Sequence, residues 1–338
     1  MTPILITPPN DNRKTGGYIY NARIAAILEP QELLRHEFIP PEKIVERLTA
    51  ADLGGRATVV FDSLYLNHAD ELTAARRRTG VRGQRWILLT HLLPSQETDG
   101  RRERESEAKA LPLFDAAIVP SRHMKAVLAQ SGFRPNQIVV CYPGTDRSRR
   151  LITGTQDATP QILTVANWIP RKNIEGVLAA LRRLESLSWN WHIVGFADPH
   201  SAYVQRLQEE IRGVRPAERI VCHGTLESHE LDRLWADAAL FVLATRFESY
   251  GMVFAEALSH GVPVVAPRVG GIPEILESGR TGRLYEPAKP SALRACLQIL
   301  LSHAELRRSF AQAAATEARS LPRWKDSAHR FAAVCHGV

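Results

Sequence analysis

Short apolar runs alternate along this chain with polar and helical stretches. "PILIT", "ATVVFDS", "RWILLTH", "DAAIVPS" and "QIVVCY" punctuate the first half; "QILTVANW", "NWHIVGFAD", "RIVCHG", "AALFVLAT" and "VPVVAP" punctuate the second. Runs this short and continuous read as strands buried on both faces. The stretches between them read as helices: in "PSRHMKAVLAQSG", Ser121 is the expected N-cap and Gly132 the stop. Strand and helix in strict alternation predict βαβ units and parallel sheets covered on both faces. Pro143–Pro160 has turn residues and no apolar period, and reads as a linker. The expectation is an α/β protein of two doubly wound domains, 1–145 and 146–320. An amphipathic helix over 321–338 is expected to pack back toward the first.

Doubly wound sheets bind ligands at the carboxyl ends of their strands, so the chemistry is sought just after each run. "RFESYGMVFAEALSHG" follows "AALFVLAT". Gly251 permits close backbone approach, and the free N–H groups of a helix opening near Tyr250–Met252 form an anion site. Glu256 lies two turns along in an apolar helix. Its carboxylate suits the paired hydroxyls of a ribose, or a salt bridge to a core arginine. Glu248 stands just before the helix. A phosphate at the helix start and a ribose deeper in describe a nucleotide. After "QILTVAN", Arg171 and Lys172 precede another helix start; adjacent cations there suit a diphosphate, or are plain surface charges. His91 follows "RWILLT" directly, as an acid/base or hydrogen-bonding group or a structural histidine. Gly16 and Gly17 in "RKTGGYIYN" open a helix without the G-x-G-x-x-G dinucleotide pattern. Gly270 and Gly271 precede a short helix in which Glu274 is a first-turn dipole partner.

Composition narrows this picture. With 44% hydrophobic and 23% charged residues the 338-residue chain is globular. Its net charge of +7 suits anionic partners. Residues 1–150 hold 22 Lys and Arg against 17 Asp and Glu, and the rest 21 against 19, so the excess leans to the first half. A nucleic-acid partner is disfavoured because there is no basic helix or aromatic-basic platform. Four cysteines without a C-x-x-C pair suggest reduced thiols and a cytosolic compartment; those in "IVVCY" and "RIVCHG" read as small buried hydrophobes. The opening "MTPILITPP" is too short and proline-rich for a signal peptide, and no run approaches the ~20 residues of a membrane span. The phosphate-binding P-loop, G-x-S-x-G and H-E-x-x-H patterns are absent, and no Asp-x-Asp offers a divalent metal a seat.

Taken together, "PRKN", "IVGFAD" and the long run from "HGTLESHELDRLWADAALFVLATRFESYGMVFAEALSHGVPVVAPRVGGIPEILESGRTGRLYEP" resemble a retaining glycosyltransferase of family 4. The likeness covers essentially all of the second domain and includes the E-x7-E pair Glu248 and Glu256. The first half is similar more weakly, through "TGGYIYN", "THLLPS", "VPSRHMKAVL" and "VVCYPGTD". The resemblance implies the GT-B architecture, two Rossmann-like domains facing across a cleft, and a metal-free transfer from a nucleotide sugar, by default UDP-linked. It implies that Glu256 accepts the ribose hydroxyls and Glu248 contacts the sugar. Ser249, Tyr250, Gly251, Met252 and Val253 line the diphosphate and sugar, Arg171 and Lys172 neutralise the leaving phosphate, and His91 meets the sugar near its reacting carbon. Thr225 and Leu226 border the base, and Gly16 and Gly17 sit beside the phosphates. Where family members often carry Gly-Phe this chain has Ser249-Tyr250, and Ile19 and Tyr20 replace a common charged pair. No cofactor is implied. The acceptor is left open among glycan, lipid-linked and small-molecule classes, with a cytoplasmic location and a peripheral contact at the inner membrane face if the acceptor is lipid-linked. The competing expectations are a non-catalytic nucleotide-sugar-binding subunit and a GT-B enzyme such as a nucleotide-sugar epimerase.

Overall fold

The computed structural model describes residues 1–9, 15–50, 53, 57–79, 83–98, 100–146, 159–289 and 291–337. The expected linker falls mostly, over 147–158, outside the described residues. The chain forms two compact units: Met1–Gly144 with Pro322–Val338, and Thr145–Leu321.

In the first unit, β1 (Ile4–Thr7), β2 (Arg35–Phe38), β3 (Thr58–Asp62), β4 (Arg85–Leu89), β5 (Ala116–Val119) and β6 (Ile138–Val140) form one sheet in the order β2-β1-β3-β4-β5-β6. Every pairing is parallel. The central strands carry the apolar runs of the sequence and bury them fully: Leu5, Val60, Ile87 and Ile118 have no exposed surface. Helix Arg122–Gln130 starts as expected, with Ser121 Oγ accepting the Met124 N–H, and the chain turns at Gly132 with φ of +95°. Helix Trp324–His336 packs on helix Gly16–Leu28, where the Trp324 and Tyr20 rings meet edge-on at 5.9 Å. Ser327 donates to the Tyr142 carbonyl (2.7 Å) and Arg85 to the Val334 carbonyl (2.9 Å), tying that helix to the sheet.

In the second unit, β7 (Gln161–Val165), β8 (Asn190–Val194), β9 (Ile220–Gly224), β10 (Leu240–Val242), β11 (Val264–Pro267) and β12 (Gly282–Tyr285) are ordered β12-β11-β10-β7-β8-β9, again all parallel. Its core packs Trp189, Trp191, Leu178, Leu181 and Leu297 around the sheet.

Two strands escape sequence reading, and both are edges. β2 is "RHEF", with no fully buried residue, and β12 is only four residues long. An edge strand is not held to the two-sided burial that produces an apolar run, although the other two edges, β6 and β9, still carry short ones. The same reason corrects the reading of Cys222: it lies on edge strand β9 and is exposed, whereas Cys141 is buried.

Candidate functional site

Each sheet has one point where its strand order reverses, and the loops leaving the two strands there diverge and open a crevice. In the second unit that point lies between β7 and β10. Arg171 and Lys172 form a one-turn helix five residues beyond β7, and "RFESYG" follows β10. The two loops are stitched together. The Arg246 N–H donates to the Arg171 carbonyl (2.8 Å), Asn173 Nδ2 to the Ala244 carbonyl (3.0 Å), and Arg171 Nη1 to the Phe247 carbonyl (3.0 Å).

Glu248 is the buried carboxylate of this cluster, 8% exposed. It pairs with the Lys172 ammonium and has Arg171 Nη1 at 3.9 Å. Its carbonyl accepts the Gly271 N–H at 3.0 Å. Gly270 has φ of +57°, and a Cβ there would stand 1.8 Å from the Glu248 carbonyl oxygen. The double glycine after β11 therefore wraps the Glu248 backbone as no other residue could. Arg171 Nε is buried without a hydrogen-bond partner.

Gly251, with φ of +98°, caps helix Met252–Ser259 in the segment that follows β10, and the Phe254 N–H returns to the Gly251 carbonyl (2.9 Å). Tyr250 is buried, and Ser249, Met252 and Val253 are half-buried beside it. Glu256, in the apolar helix, is half-buried rather than sealed in. Trp235, fully buried, donates its indole N–H to Glu256 Oε1 at 3.2 Å and stacks on His260 at 5.4 Å. Thr225 is exposed and Leu226 half-buried after β9, two strands beyond β7. They lead into helix Ser228–Asp237, which carries Trp235. Topology thus brings Arg171, Lys172, Glu248 and Gly251 together, and leaves Thr225 and Leu226 farther along the same sheet edge.

The first unit reverses between β1 and β3. There Asp62, at the end of β3, is 2% exposed. Its Oδ1 accepts the Leu64 N–H (2.9 Å) and its Oδ2 accepts Asn21 Nδ2 (2.7 Å). Asn21 Oδ1 lies 2.8 Å from His91 Nε2, and the His91 N–H donates to Ser63 Oγ at 3.2 Å. Burial lowers the His91 pKa below the usual imidazole value, and the Asp62 charge partly opposes that shift. Gly17 packs on the His91 ring, where a Cβ would be 2.9 Å from Cδ2, while Gly16 faces open space. The Tyr20 ring meets His91 edge-on at 5.2 Å.

Sequence reading missed Asp62, Asn21, Trp235 and the bond that ties the double glycine to Glu248. Asp62 and Ser63 end a recognised strand and Asn21 closes "TGGYIYN", so position alone marked them. Trp235 carried no signal, because an apolar helix face needs no second purpose. Among the described residues no group of three or more His, Cys, Asp or Glu is placed to hold a metal ion, and no helix is long and apolar enough to cross a membrane.

Comparison with known proteins bears on both units. The sulfoquinovosyl transferase SQD2 of Arabidopsis thaliana is 30% identical over 215 residues, 60% of this chain and 41% of that protein. The D-inositol 3-phosphate glycosyltransferase of Paenarthrobacter aurescens is 29% identical over 211 residues, 62% of this chain and 47% of that protein. The matched segments thus span less than half the length of these relatives. Among solved structures, sucrose-phosphate synthase from Thermosynechococcus elongatus aligns with a TM-score of 0.81 at 18% identity, covering 100% of this chain and 99% of that one. HepE from Anabaena, solved in complex with UDP and glucose, aligns at 0.81 with 17% identity and full coverage of both. At such identities the likeness shows the fold, the two-domain α/β GT-B fold. The profile of the family "Glycosyl transferases group 1" matches residues 147–317, just over half the chain and nearly all of its second unit. The chain therefore belongs to the group 1 glycosyl transferases.

Proposed function

We propose that the chain is a retaining glycosyltransferase that moves a hexose from a UDP-sugar to an acceptor hydroxyl without a metal ion. The observation that carries this reading is the convergence of Arg171, Lys172, Glu248 and the Gly251-capped helix start on the β7–β10 reversal. A diphosphate entering there meets a guanidinium with a buried, unused Nε–H, an ammonium, and the free N–H groups of a helix. Glu256, steadied by Trp235, takes the ribose hydroxyls. Glu248 holds the sugar while its pairing keeps Lys172 at the phosphate. Negative charge grows on the departing diphosphate in the transition state, and these fixed donors stabilise it there more than in the bound donor. The UDP and glucose bound by HepE support this choice of base and sugar class. We assign the reaction to the cytoplasm, with the basic first half at the inner membrane face where the acceptor is lipid-linked.

The test is donor turnover in excess chelator across UDP-, GDP- and ADP-hexoses, with the anomeric configuration of the product read by NMR. UDP release undiminished by chelator, with an α-linked donor yielding an α-linked product, is expected. Inversion, or activity that needs added magnesium or manganese, overturns the reading.

A further inference from the structure

His91 is fixed from two sides by the end of β3: Ser63 Oγ accepts its backbone N–H, and Asn21 links its ring to Asp62. The order of donors along that link is set by chemistry. Both Asp62 oxygens accept N–H groups, from Leu64 and from Asn21. Asn21 must therefore point its Nδ2 at Asp62, which turns its Oδ1, an acceptor only, to His91 Nε2 at 2.8 Å. An acceptor facing Nε2 requires a proton on Nε2. The direct path is weaker, with Asp62 Oδ2 at 3.6 Å from that nitrogen. Asn21, Asp62 and Ser63 are each no more than 2% exposed, so water does not compete for these bonds.

We infer that Asp62, acting through Asn21, is a positioning residue that holds His91 in its Nε2–H form, leaving Nδ1 as the nitrogen that accepts a hydrogen bond from a ligand hydroxyl. A carboxylate that orients a histidine through its second nitrogen fixes tautomer and ring angle together. Here a neutral amide is interposed, so the ring is oriented without the full pull of an adjacent negative charge. The ligand is a hydroxyl compound, a sugar or acceptor, and only that part of the inference rests on the transferase reading.

The test reads the His91 ring in the ligand-free full chain by nitrogen-15 NMR, with the signal identified by its loss in His91→Gln. The groups that bear on the ring are Asp62 from β3 and Tyr20 from helix Gly16–Leu28; Asp62 also acts on His36 of β2 and on Tyr65 after β3. Both tyrosines are raised in pKa by burial and stay neutral. At neutral pH the wild type should carry its proton on Nε2. Asp62→Asn and Asn21→Leu should each yield a mixture of tautomers. In Asp62→Asn the midpoint of His91 titration should fall further, because the charge favouring the imidazolium is gone. Mere loosening would admit water and move the midpoint up toward the ordinary value. Turnover should fall about tenfold in either variant, with the donor KM nearly unchanged. A wild-type proton on Nδ1, or the wild-type tautomer retained in both variants, overturns the inference. If Asp62→Asn does not fold, Asn21→Leu decides alone. Because no substrate is present in the NMR measurement, its failure is distinct from failure of the transferase reading.

Discussion

The two units bury one carboxylate each at the same topological position, and treat it oppositely. Glu248 in the second unit is paired with a lysine, has an arginine nearby, and stands before a helix N-terminus. Asp62 in the first unit is satisfied by a backbone N–H and a neutral amide, with a histidine beyond. Both solutions meet the requirement that a buried charge be paired or hydrogen-bonded. Their leftover capacities differ. On the reading proposed above, the first offers cations and N–H donors to an anion and the second offers an imidazole lone pair to a hydroxyl. What surrounds each acid decides that difference.

The hardest blow to this contrast falls on Lys172. Lys172→Ala should cut turnover ~100- to 1,000-fold, the scale of losing one donor to developing charge. It should also lower folding stability by about 3 kcal/mol, the low end for a broken buried pair because Arg171 remains near Glu248. Denaturant unfolding of Lys172→Ala and of the Lys172→Ala, Glu248→Ala double variant separates the two effects. The double variant should regain stability and stay inactive. Wild-type turnover in either would reduce Lys172 to a structural charge.

Next in size is Gly270→Ala. The positive φ alone costs about 1–3 kcal/mol, and the Glu248 carbonyl must also move. Stability and donor affinity should fall together, whereas Gly16→Ala, with open space around it, should cost stability far less. Equal effects would mean the double glycine does not hold Glu248.

Trp235→Phe removes the indole N–H that steadies Glu256. Nucleoside diphosphate binding should weaken about fivefold, the worth of a hydrogen bond near 1 kcal/mol, with kcat little changed. Calorimetry and steady-state kinetics check both halves of that statement.

The smallest effect concerns pH. His36, His91, His192 and His223 are all lowered in pKa, chiefly by burial. The unfolded chain therefore binds more protons below the ordinary histidine value of ~6.5. Stability should be flat above that value and decline as pH falls beneath it. Thermal melts between pH 8 and 5.5 test the sign. A rise on acidification would show that these histidines gain partners on folding rather than lose water.

Much of this was legible before any coordinates. Among the described residues ten of the twelve strands appear as apolar runs: the eight inner ones, because a strand covered on both faces can hardly be written otherwise, and the edges β6 and β9, which still carry short runs. β2 and β12 stayed hidden because an edge is free of that constraint and these two use the freedom. At the candidate site, Arg171, Lys172 and Glu248 were readable as charged residues, and Gly251 as a helix-opening glycine, in the loops that follow buried strands. Their mutual arrangement was not: that Glu248 is the sealed acid and Glu256 the half-open one depends on Gly270 arriving from β11. Asp62 and Asn21 stand 41 residues apart, and only the adjacency of β1 and β3 joins them.

Calorimetric titration of UDP into the wild-type chain and Glu256→Ala, without metal, bears most directly on the nucleotide-sugar site proposed for the second unit. UDP should bind the wild type, and Glu256→Ala should bind it ~10- to 100-fold more weakly, the scale of losing hydrogen bonds to a charged acceptor. Equal UDP affinity in the two proteins, or no binding of any nucleoside diphosphate to the wild type, would contradict the assignment.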